Sequence, residues 1–311
     1  MSRPAIAVQS CASRAGVVHS IGVTPPAPAS DSIALSHQVE DGVPGDETRR
    51  VERGVLRITW VGHSTVLLDL DGVRLLTDPV LRARIAHLRR VGARVDASSV
   101  SDVDAVLVSH LHYDHLDVPS LLRVGRSARV VLPAGSTRLL RRRGFTRISQ
   151  LGIGEELAVG AVTVAATEAE HDGRRTPFGL DRPAVGYLVT GSARIWFAGD
   201  TDLFDGMSGL APGLDVALLP VSGWGARLPP GHLGPRTAAE ALQRLRPRVA
   251  VPIHWGTYRQ LGLTRKDEAL RAPAEAFAEH AAELAPDVDV RVLSVGETLE
   301  LETPIAAGAL P

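Results

Sequence analysis

Hydrophobic and polar residues alternate over short stretches from Gly54 onward, which is the pattern of half-buried β-strands. Residues 55–61, 64–70 and 73–77 follow this pattern. The dipeptide Asp71-Gly72 separates the second and third stretches, and this pair favours a two-residue hairpin. The folded part of the chain is therefore predicted to open with a β-meander.

Farther along, apolar runs of strand length alternate with helical periodicity. Helices are predicted over residues 117–123 (capped by Asp117), 136–143, 237–246 and 272–284 (with Pro273 in its first turn). Strands are predicted over residues 128–133, 159–167 (as a pair around Gly160), 288–293 and 298–301, with the last two paired to each other. Residues 150–157 are predicted as a loop, and the arginine-rich residues 80–100 as a basic surface loop or short helix. This alternation indicates a layered α/β domain.

Both ends of the chain differ from this pattern. Residues 1–50 are rich in Ala, Ser, Pro and Gly and predict a disordered tail, and residues 303–311 predict a flexible one. The folded domain is thus expected over residues 51–302. No apolar run approaches the roughly 20 residues that span a bilayer, and the N-terminus lacks a signal-peptide core. We expect a cytoplasmic protein without a stable membrane anchor.

Composition limits the kinds of binding site that the chain can form. A 311-residue chain with 44% hydrophobic residues can bury a large core. The formal net charge of −1 gives no general attraction to nucleic acid, and no basic aromatic track points to RNA or DNA. Cys11 is the single cysteine, which excludes an intramolecular disulfide and a cysteine-rich zinc module. Any metal site must therefore use histidines and carboxylates.

One stretch concentrates such residues. The apolar run that begins at Ala105 ends in His110-Leu-His112-Tyr-Asp114-His115, which places four potential metal ligands within six positions. Imidazole and carboxylate ligands suit zinc, iron, manganese or nickel. Four further candidates follow predicted strands in the same way: Asp78, His171, Asp200 and His254. Since strand ends meet at one edge of a layered domain, these side chains are expected to converge.

The ordered set resembles the metallo-β-lactamase superfamily, over roughly residue 54 to the C-terminus. Finer matches are similar to the branch that contains N-acyl phosphatidylethanolamine phospholipase D and L-ascorbate 6-phosphate lactonase. They are Gly62-His63-Ser64, Leu219-Pro220 with Gly223, the stretch from Gly231-His232 to Glu240, and His254-Trp-Gly-Thr-Tyr258. The resemblance implies a four-layer αββα sandwich of two mixed, mostly antiparallel sheets.

The resemblance also implies two divalent metal ions, with zinc expected and manganese or iron as alternatives. His110, His112 and His171 would hold the first ion and Asp114, His115 and His254 the second. Asp200 would bridge the ions, and Asp78 would orient a ligand from behind. A bridging hydroxide would then attack an ester-like bond, with Asp114 orienting the water or accepting its proton.

The expected substrate is a small molecule with a phosphodiester bond. Arg174 and Arg175 resemble an arginine pair of the phospholipase-like proteins and suit phosphate. His232 is expected to contact substrate or protonate the leaving group, and His63 is a further candidate substrate contact, with plain turn chemistry as the alternative. The region at Ala184-Val-Gly-Tyr187 lacks the Trp-Gly-x-Trp stretch of that branch, which argues against a lipid substrate.

Three alternatives stay open at this level. The enzyme could be a lactonase or another carbonyl-ester hydrolase, or the chain could be a metal-loaded binding module without turnover. Redox chemistry at a di-iron centre is a weaker alternative, because the chain has no flavin-binding domain. Self-association into a homo-oligomer is also left open.

Overall fold

The structure is a computed structural model that describes residues 54–92, 94–175, 182–224, 228–261 and 268–303. The predicted N-terminal tail, residues 1–50, and all but the first residue of the predicted tail 303–311 lie outside the described residues, so the domain bounds stay a prediction. In chain order the strands are β1 (Val55–Gly62), β2 (Thr65–Leu70), β3 (Val73–Thr77), β4 (Arg84–Ile85), β5 (Leu88–Arg90), β6 (Ala105–Leu107), β7 (Arg129–Pro133), β8 (Ile148–Leu151), β9 (Glu156–Val159), β10 (Val162–Asp172), β11 (Pro183–Thr190), β12 (Arg194–Phe197), β13 (Val216–Pro220), β14 (Val249–Ile253), β15 (Tyr258–Gln260), β16 (Asp289–Val290) and β17 (Thr298–Glu302).

Four α-helices occur in the described part of the chain: α1 (Val118–Val124), α2 (Arg138–Arg141), α3 (Pro235–Leu245) and α4 (Glu268–Leu284). Helix α1 begins where the sequence predicts, because the Asp117 side chain accepts a hydrogen bond from the backbone N–H of Ser120. Helix α2 is only one turn long, shorter than predicted. Helix α4 begins earlier than predicted, so Pro273 lies inside it and not in its first turn. None of the described helices is long and apolar enough to cross a membrane.

Two seven-stranded sheets form the centre of the domain. The first has the order β17-β1-β2-β3-β6-β7-β8 and the second β16-β14-β13-β12-β11-β10-β9. Alternate residues of β1, such as Leu56 and Ile58, are fully buried and belong to one apolar cluster with residues of the second sheet such as Val189 and Ile195. Helix α1 contributes Leu121 to a separate apolar cluster with the first sheet, and helix α3 belongs to the cluster that contains the second sheet. The predicted αββα architecture is confirmed.

The pairing corrects three predictions. In the described residues, each large sheet has three antiparallel and three parallel pairings, so the sheets are mixed but not mostly antiparallel. Strands β16 and β17 do not pair with each other: β16 pairs with β14 and β17 with β1. Residues 150–157 are not all loop, because β8 ends and β9 begins within them.

The arginine-rich residues 80–100 are also more ordered than predicted. They contain β4 and β5, which form a small third sheet with β15, and a 3-10 helix over Ala97–Val100. The Arg90 side chain is buried, and its guanidinium donates to the carbonyl of Val80. Apolar neighbours distant in sequence supply this burial, which the local charge pattern does not reveal.

Candidate metal centre

The ligand-type side chains gather at one edge of the two sheets, where parallel strands end. In the first sheet, His63 follows β1, Asp78 follows β3 and the motif that starts at His110 follows β6. In the second sheet, His171 is the penultimate residue of β10, while Asp200 and His254 follow β12 and β14. The fold therefore places together residues that the sequence separates by more than a hundred positions.

Three histidines form the first group of donors. His112 Nδ1 lies 2.9 Å from His110 Nε2 and 3.2 Å from His171 Nε2. For zinc bonded to nitrogen at 2.0–2.1 Å, two donors on one ion are roughly 3 to 3.5 Å apart. His171 Nδ1 donates to the Gly231 carbonyl at 2.8 Å, which leaves the Nε2 lone pair directed at the group. These spacings fit a single ion.

The second group contains two histidines and two carboxylates. The Nε2 atoms of His115 and His254 each lie 3.8 Å from Asp114 Oδ2. The same nitrogens lie 3.1 Å and 3.3 Å from Asp200 Oδ2. Asp200 also has a carboxylate oxygen within 4.8 Å of ligand atoms of His171 and His232. It therefore lies where the two groups meet.

Several buried polar atoms of this centre have no hydrogen-bond partner. In the described part of the chain they are His63 Nε2, His115 Nε2, His254 Nδ1 and Nε2, and Asp200 Oδ1. Unpaired buried polar atoms are rare in folded proteins, because each loses its bonds to water. Metal ions coordinated by these lone pairs would remove the penalty. On this test the donor set fits a metal centre.

The first group is electrostatically suited to stay neutral. Burial lowers the pKa of His171 to about 4. Burial, with the neighbouring His115 and His171, also holds the pKa of His110 well below its ordinary value. Burial and His115 lower the pKa of His112 in the same direction. These imidazoles are uncharged at neutral pH, which is the form that binds metal.

The second group is coupled to carboxylates and behaves in the opposite way. Burial disfavours a charge on His254, but the nearby carboxylates of Asp200 and Asp114 outweigh it and raise the pKa to about 9. Burial is likewise outweighed at His115, where Asp200, Asp78 and Asp114 raise the pKa well above its ordinary value. The same attractions hold the pKa values of Asp114 and Asp200 well below theirs, against burial. Without metal, protons on His115 and His254 supply the positive charge that balances these carboxylates.

Asp78 supports the second group from behind. Its Oδ2 accepts a hydrogen bond from His115 Nδ1 at 2.6 Å, and its two oxygens accept from the backbone and hydroxyl of Ser109 at 2.7 and 2.6 Å. Such a contact fixes the tautomer of a metal-binding imidazole and directs Nε2 to the ion. Asp78 is fully buried at a φ of 31°, a conformation that non-glycine residues rarely adopt. This placement matches the predicted orienting role.

The predicted arginine pair does not form a phosphate fork. Arg174 pairs with Asp172, with Nη2 and Oδ2 2.6 Å apart. Arg175 Nη1 donates to the carbonyls of Leu111 and Leu116 at 2.8 and 3.0 Å. Its guanidinium also stacks 4.1 Å from the ring centre of Tyr113. Arg175 therefore braces the loop from His110 to His115, and both guanidinium groups have protein partners, which conflicts with the predicted phosphate fork.

The two remaining predicted substrate contacts differ in accessibility. His232 is partly exposed, with Nε2 3.5 Å from Asp200 Oδ2 and its ring 4.7 Å from that of His171. His63 is only 1% exposed, with its ring centre 4.1 Å from that of His254. His232 occupies a position that substrate can reach, whereas the substrate contact predicted for His63 conflicts with its burial.

Sequence reasoning missed one residue of the centre. Trp224 Nε1 donates to Asp114 Oδ2 at 2.7 Å, and its ring lies 5.5 Å from that of His63. The residue follows β13, whose C-terminal end lies at the same sheet edge as the ligands. Its position after a buried strand, four residues beyond Pro220, was the signal available in the sequence.

Comparison with known proteins agrees with this geometry. A model of the beta-lactamase superfamily domain matches residues 73–255, more than half of the chain. This chain belongs to the metallo-β-lactamase superfamily. The predicted family is confirmed.

Relatives within the superfamily are similar over most of the domain. A UPF0173 metal-dependent hydrolase from Methanopyrus kandleri is 30% identical over 259 residues, covering 79% of this chain and 100% of the relative. The N-acyl-phosphatidylethanolamine-hydrolyzing phospholipase D 1 of Caenorhabditis elegans is 30% identical over 230 residues, 64% of each chain. The solved structure of a metallo hydrolase from Ignicoccus hospitalis matches with a TM-score of 0.60 at 25% identity, covering 80% of this chain and 99% of that one. The protein is a metal-dependent hydrolase of the metallo-β-lactamase fold.

Proposed function

We propose that this hydrolase cleaves a phosphodiester bond of a small molecule with the help of two divalent metal ions. Zinc is the expected ion, with manganese or iron as alternatives. The observation that carries the proposal is the pair of adjoining donor groups that meet at Asp200. The spacing of the donors and their unpaired buried atoms support this assignment.

Each ion would be held by a separate set of side chains. His110, His112 and His171 would hold the first and Asp114, His115 and His254 the second, with Asp200 shared. When bound, the ions supply Lewis acidity toward an ester oxygen and a source of nucleophilic water near neutral pH.

The charge of the centre favours an anionic substrate. Asp114 and Asp200 are ionised at neutral pH, since their neighbours hold their pKa values well below the ordinary range. Two carboxylates do not neutralise two divalent cations, so the loaded centre keeps a positive balance. A phosphodiester carries a negative charge, whereas a lactone or a simple carbonyl ester carries none. Electrostatic attraction therefore supports the phosphodiester over the carbonyl ester.

His232 is the residue best placed to act on the substrate itself. Its Nδ1 donates to the carbonyl of Pro230 at 3.2 Å, which orients the ring, and its Nε2 faces Asp200 from the accessible side. From this position Nε2 would bind a phosphoryl oxygen or donate a proton to the leaving oxygen. The Oδ2 of Asp114 is already hydrogen-bonded by Trp224 and lies close to His115 and His254, so we assign Asp114 metal binding and orientation of water.

The test combines metal analysis with two substrates. Purified protein is loaded with zinc, dialysed and analysed for metal, and rates are measured on bis(p-nitrophenyl) phosphate and on a simple lactone. We expect two equivalents of metal and a higher kcat/KM for the phosphodiester. His112→Ala should remove activity, whereas His87→Ala, at an exposed histidine outside the centre, is the matched control.

Other outcomes would redirect the proposal. Failure to bind metal stoichiometrically would overturn the dinuclear mechanism. A higher kcat/KM for the lactone would identify a carbonyl-ester hydrolase. Stoichiometric metal with no turnover of either substrate class, together with tight binding of a phosphodiester analogue, would indicate a binding module.

A further inference from the structure

His63 is held in a fixed and unfavourable backbone conformation beside the second donor group. Its φ is 56°, in the left-handed region that non-glycine residues rarely adopt. Its backbone N–H donates to Thr257 Oγ1 at 2.6 Å, and its carbonyl accepts from Trp60 Nε1 at 2.9 Å and from the N–H of His254 at 3.0 Å. Strained residues that several bonds hold in place are concentrated at functional sites.

The ring nitrogen of His63 lacks a partner although it lies close to a carboxylate. Nε2 is 3.3 Å from Asp114 Oδ2, yet the two atoms do not form a hydrogen bond of acceptable geometry. The same oxygen accepts a well-formed hydrogen bond from Trp224. The Nε2 atoms of His115 and His254 are buried and unpaired in the same way. His63 thus shares two features, burial and an unpaired Nε2, with the histidines already assigned to the second ion.

The spacing of the donors is also that of a common coordination sphere. One ligand atom from each of His63, Asp114, His115 and His254 can be chosen so that all lie within 4.8 Å of one another. The 3.3 Å separation between His63 and Asp114 falls within the roughly 3 to 3.5 Å expected for two donors on one ion. An imidazole that served only as a core residue would point its polar nitrogen toward a hydrogen-bond partner.

We propose that His63 Nε2 is a further ligand of the second metal ion, beside Asp114, His115 and His254. This inference rests on the dinuclear centre of the proposed function. With Asp200 shared, the second ion would have five protein ligands and the first would have four. A crowded, fully buried sphere favours an ion that accepts five or six ligands over one that prefers a tetrahedron. The first ion, with fewer ligands and with His112 and His171 only half-buried, would keep more open positions for substrate.

A competing role for His63 is donation of a hydrogen bond to Asp114. The residue would then be a positioning residue, and its removal would weaken metal binding by about 10- to 100-fold, as for other groups that orient a ligand. Loss of a direct ligand should exceed that range. The two roles also differ in whether the His63 ring is bonded to the metal ion, because only a bonded ring receives unpaired electron density from a paramagnetic ion.

The experiment uses the full chain loaded with Co²⁺, in wild type and in His63→Ala, His63→Gln and the control His87→Ala. Chelator competition measures the two dissociation constants. Proton NMR detects the strongly shifted, solvent-exchangeable imidazole N–H signals of histidines bound to Co²⁺. We expect His63→Ala to weaken the second site by more than about a hundredfold and to remove one shifted signal, with His87→Ala unchanged.

Two results would overturn the inference. One is an undiminished set of shifted signals in His63→Ala. The other is recovery of second-site affinity in His63→Gln, whose side-chain amide can donate to Asp114 from nearly the same position. If His63→Ala fails to fold, the Gln variant supplies the same comparison of signals. A wild-type protein that binds fewer than two ions would instead contradict the proposed function.

Discussion

The two donor groups of the metal centre are built by the same fold but differ in burial and charge. His112 and His171 of the first group are half-buried, whereas His115 and His254 of the second are almost completely inaccessible. The first group has low imidazole pKa values, and the second has raised ones. The first group is therefore open and ready for metal, while in the second a metal ion must displace protons.

The difference follows from where the carboxylates lie. Carboxylate oxygens of Asp78, Asp114 and Asp200 lie 2.6, 3.8 and 3.1 Å from ring nitrogens of His115. The first group contains histidines alone. Backbone strain is distributed in the same way: His63, Asp78 and His254 have positive φ values, and the three histidines of the first group do not. We infer that the buried half fixes the geometry of the centre and the open half receives substrate.

Removing the shared carboxylate of Asp200 should have the largest effect on metal binding by the two donor groups. In Asp200→Ala, both ions would lose the ligand that they share, so both donor groups should bind metal more weakly. We expect loss of at least one metal equivalent and a fall in kcat/KM on the order of 10³-fold. Metal analysis and phosphodiester assays measure both effects. Retention of two tightly bound ions would show that Asp200 is not shared.

The pH dependence of metal affinity should separate the groups without any mutation. Binding at the second site displaces a proton from His254, whose pKa is about 9, so its affinity should rise by up to about tenfold per displaced proton for each pH unit between pH 7 and 9. His171 has a pKa of about 4 and is already neutral, so first-site affinity should be nearly constant above pH 6. Chelator-buffered titrations from pH 6 to 9 test this. Equal slopes for both sites would contradict it.

Asp78→Asn should weaken the second site selectively. The amide keeps the shape of the side chain but loses the charge that holds His115 Nδ1–H and the Ser109 loop. We expect a 10- to 100-fold loss of second-site affinity and a much smaller change at the first. Parallel dissociation constants for the two sites provide the measurement. Similar losses at both sites would mean that Asp78 supports the whole loop and not one ligand.

Trp224→Phe should have the smallest of these effects. Phenylalanine keeps the aromatic packing beside His63 but removes the hydrogen bond to Asp114 Oδ2. At the lower end of the range for hydrogen bonds to charged groups, about 1.5 kcal/mol, second-site affinity should fall by about tenfold. The quenching of tryptophan fluorescence by bound Co²⁺ should also decrease in this variant. Unchanged affinity would show that Asp114 is oriented by the chain alone.

Much of the fold was predictable because its signals are local. The alternation in β1, the hairpin at Asp71-Gly72 and the cap at Asp117 each depend on a few neighbouring residues, and the structure contains all three. The partners of β16 and β17 were not predictable, because they pair with strands far away in sequence. Local pattern indicates that a segment is a strand, but it does not indicate which strand lies beside it.

The sequence by itself determined the family and the seven candidate ligands, since each ligand is a histidine or aspartate at the end of a recognisable strand. Only the tertiary structure decided the surroundings of those ligands. It turned Arg175 toward the ligand loop, buried His63 beside the second donor group and brought Trp224 to Asp114 across 110 positions of sequence. Such contacts depend on distances between sheet edges and loops, and no short stretch of residues encodes them. The identity of the candidate ligands is thus a local property of this chain, whereas the asymmetry of the two donor groups arises from packing.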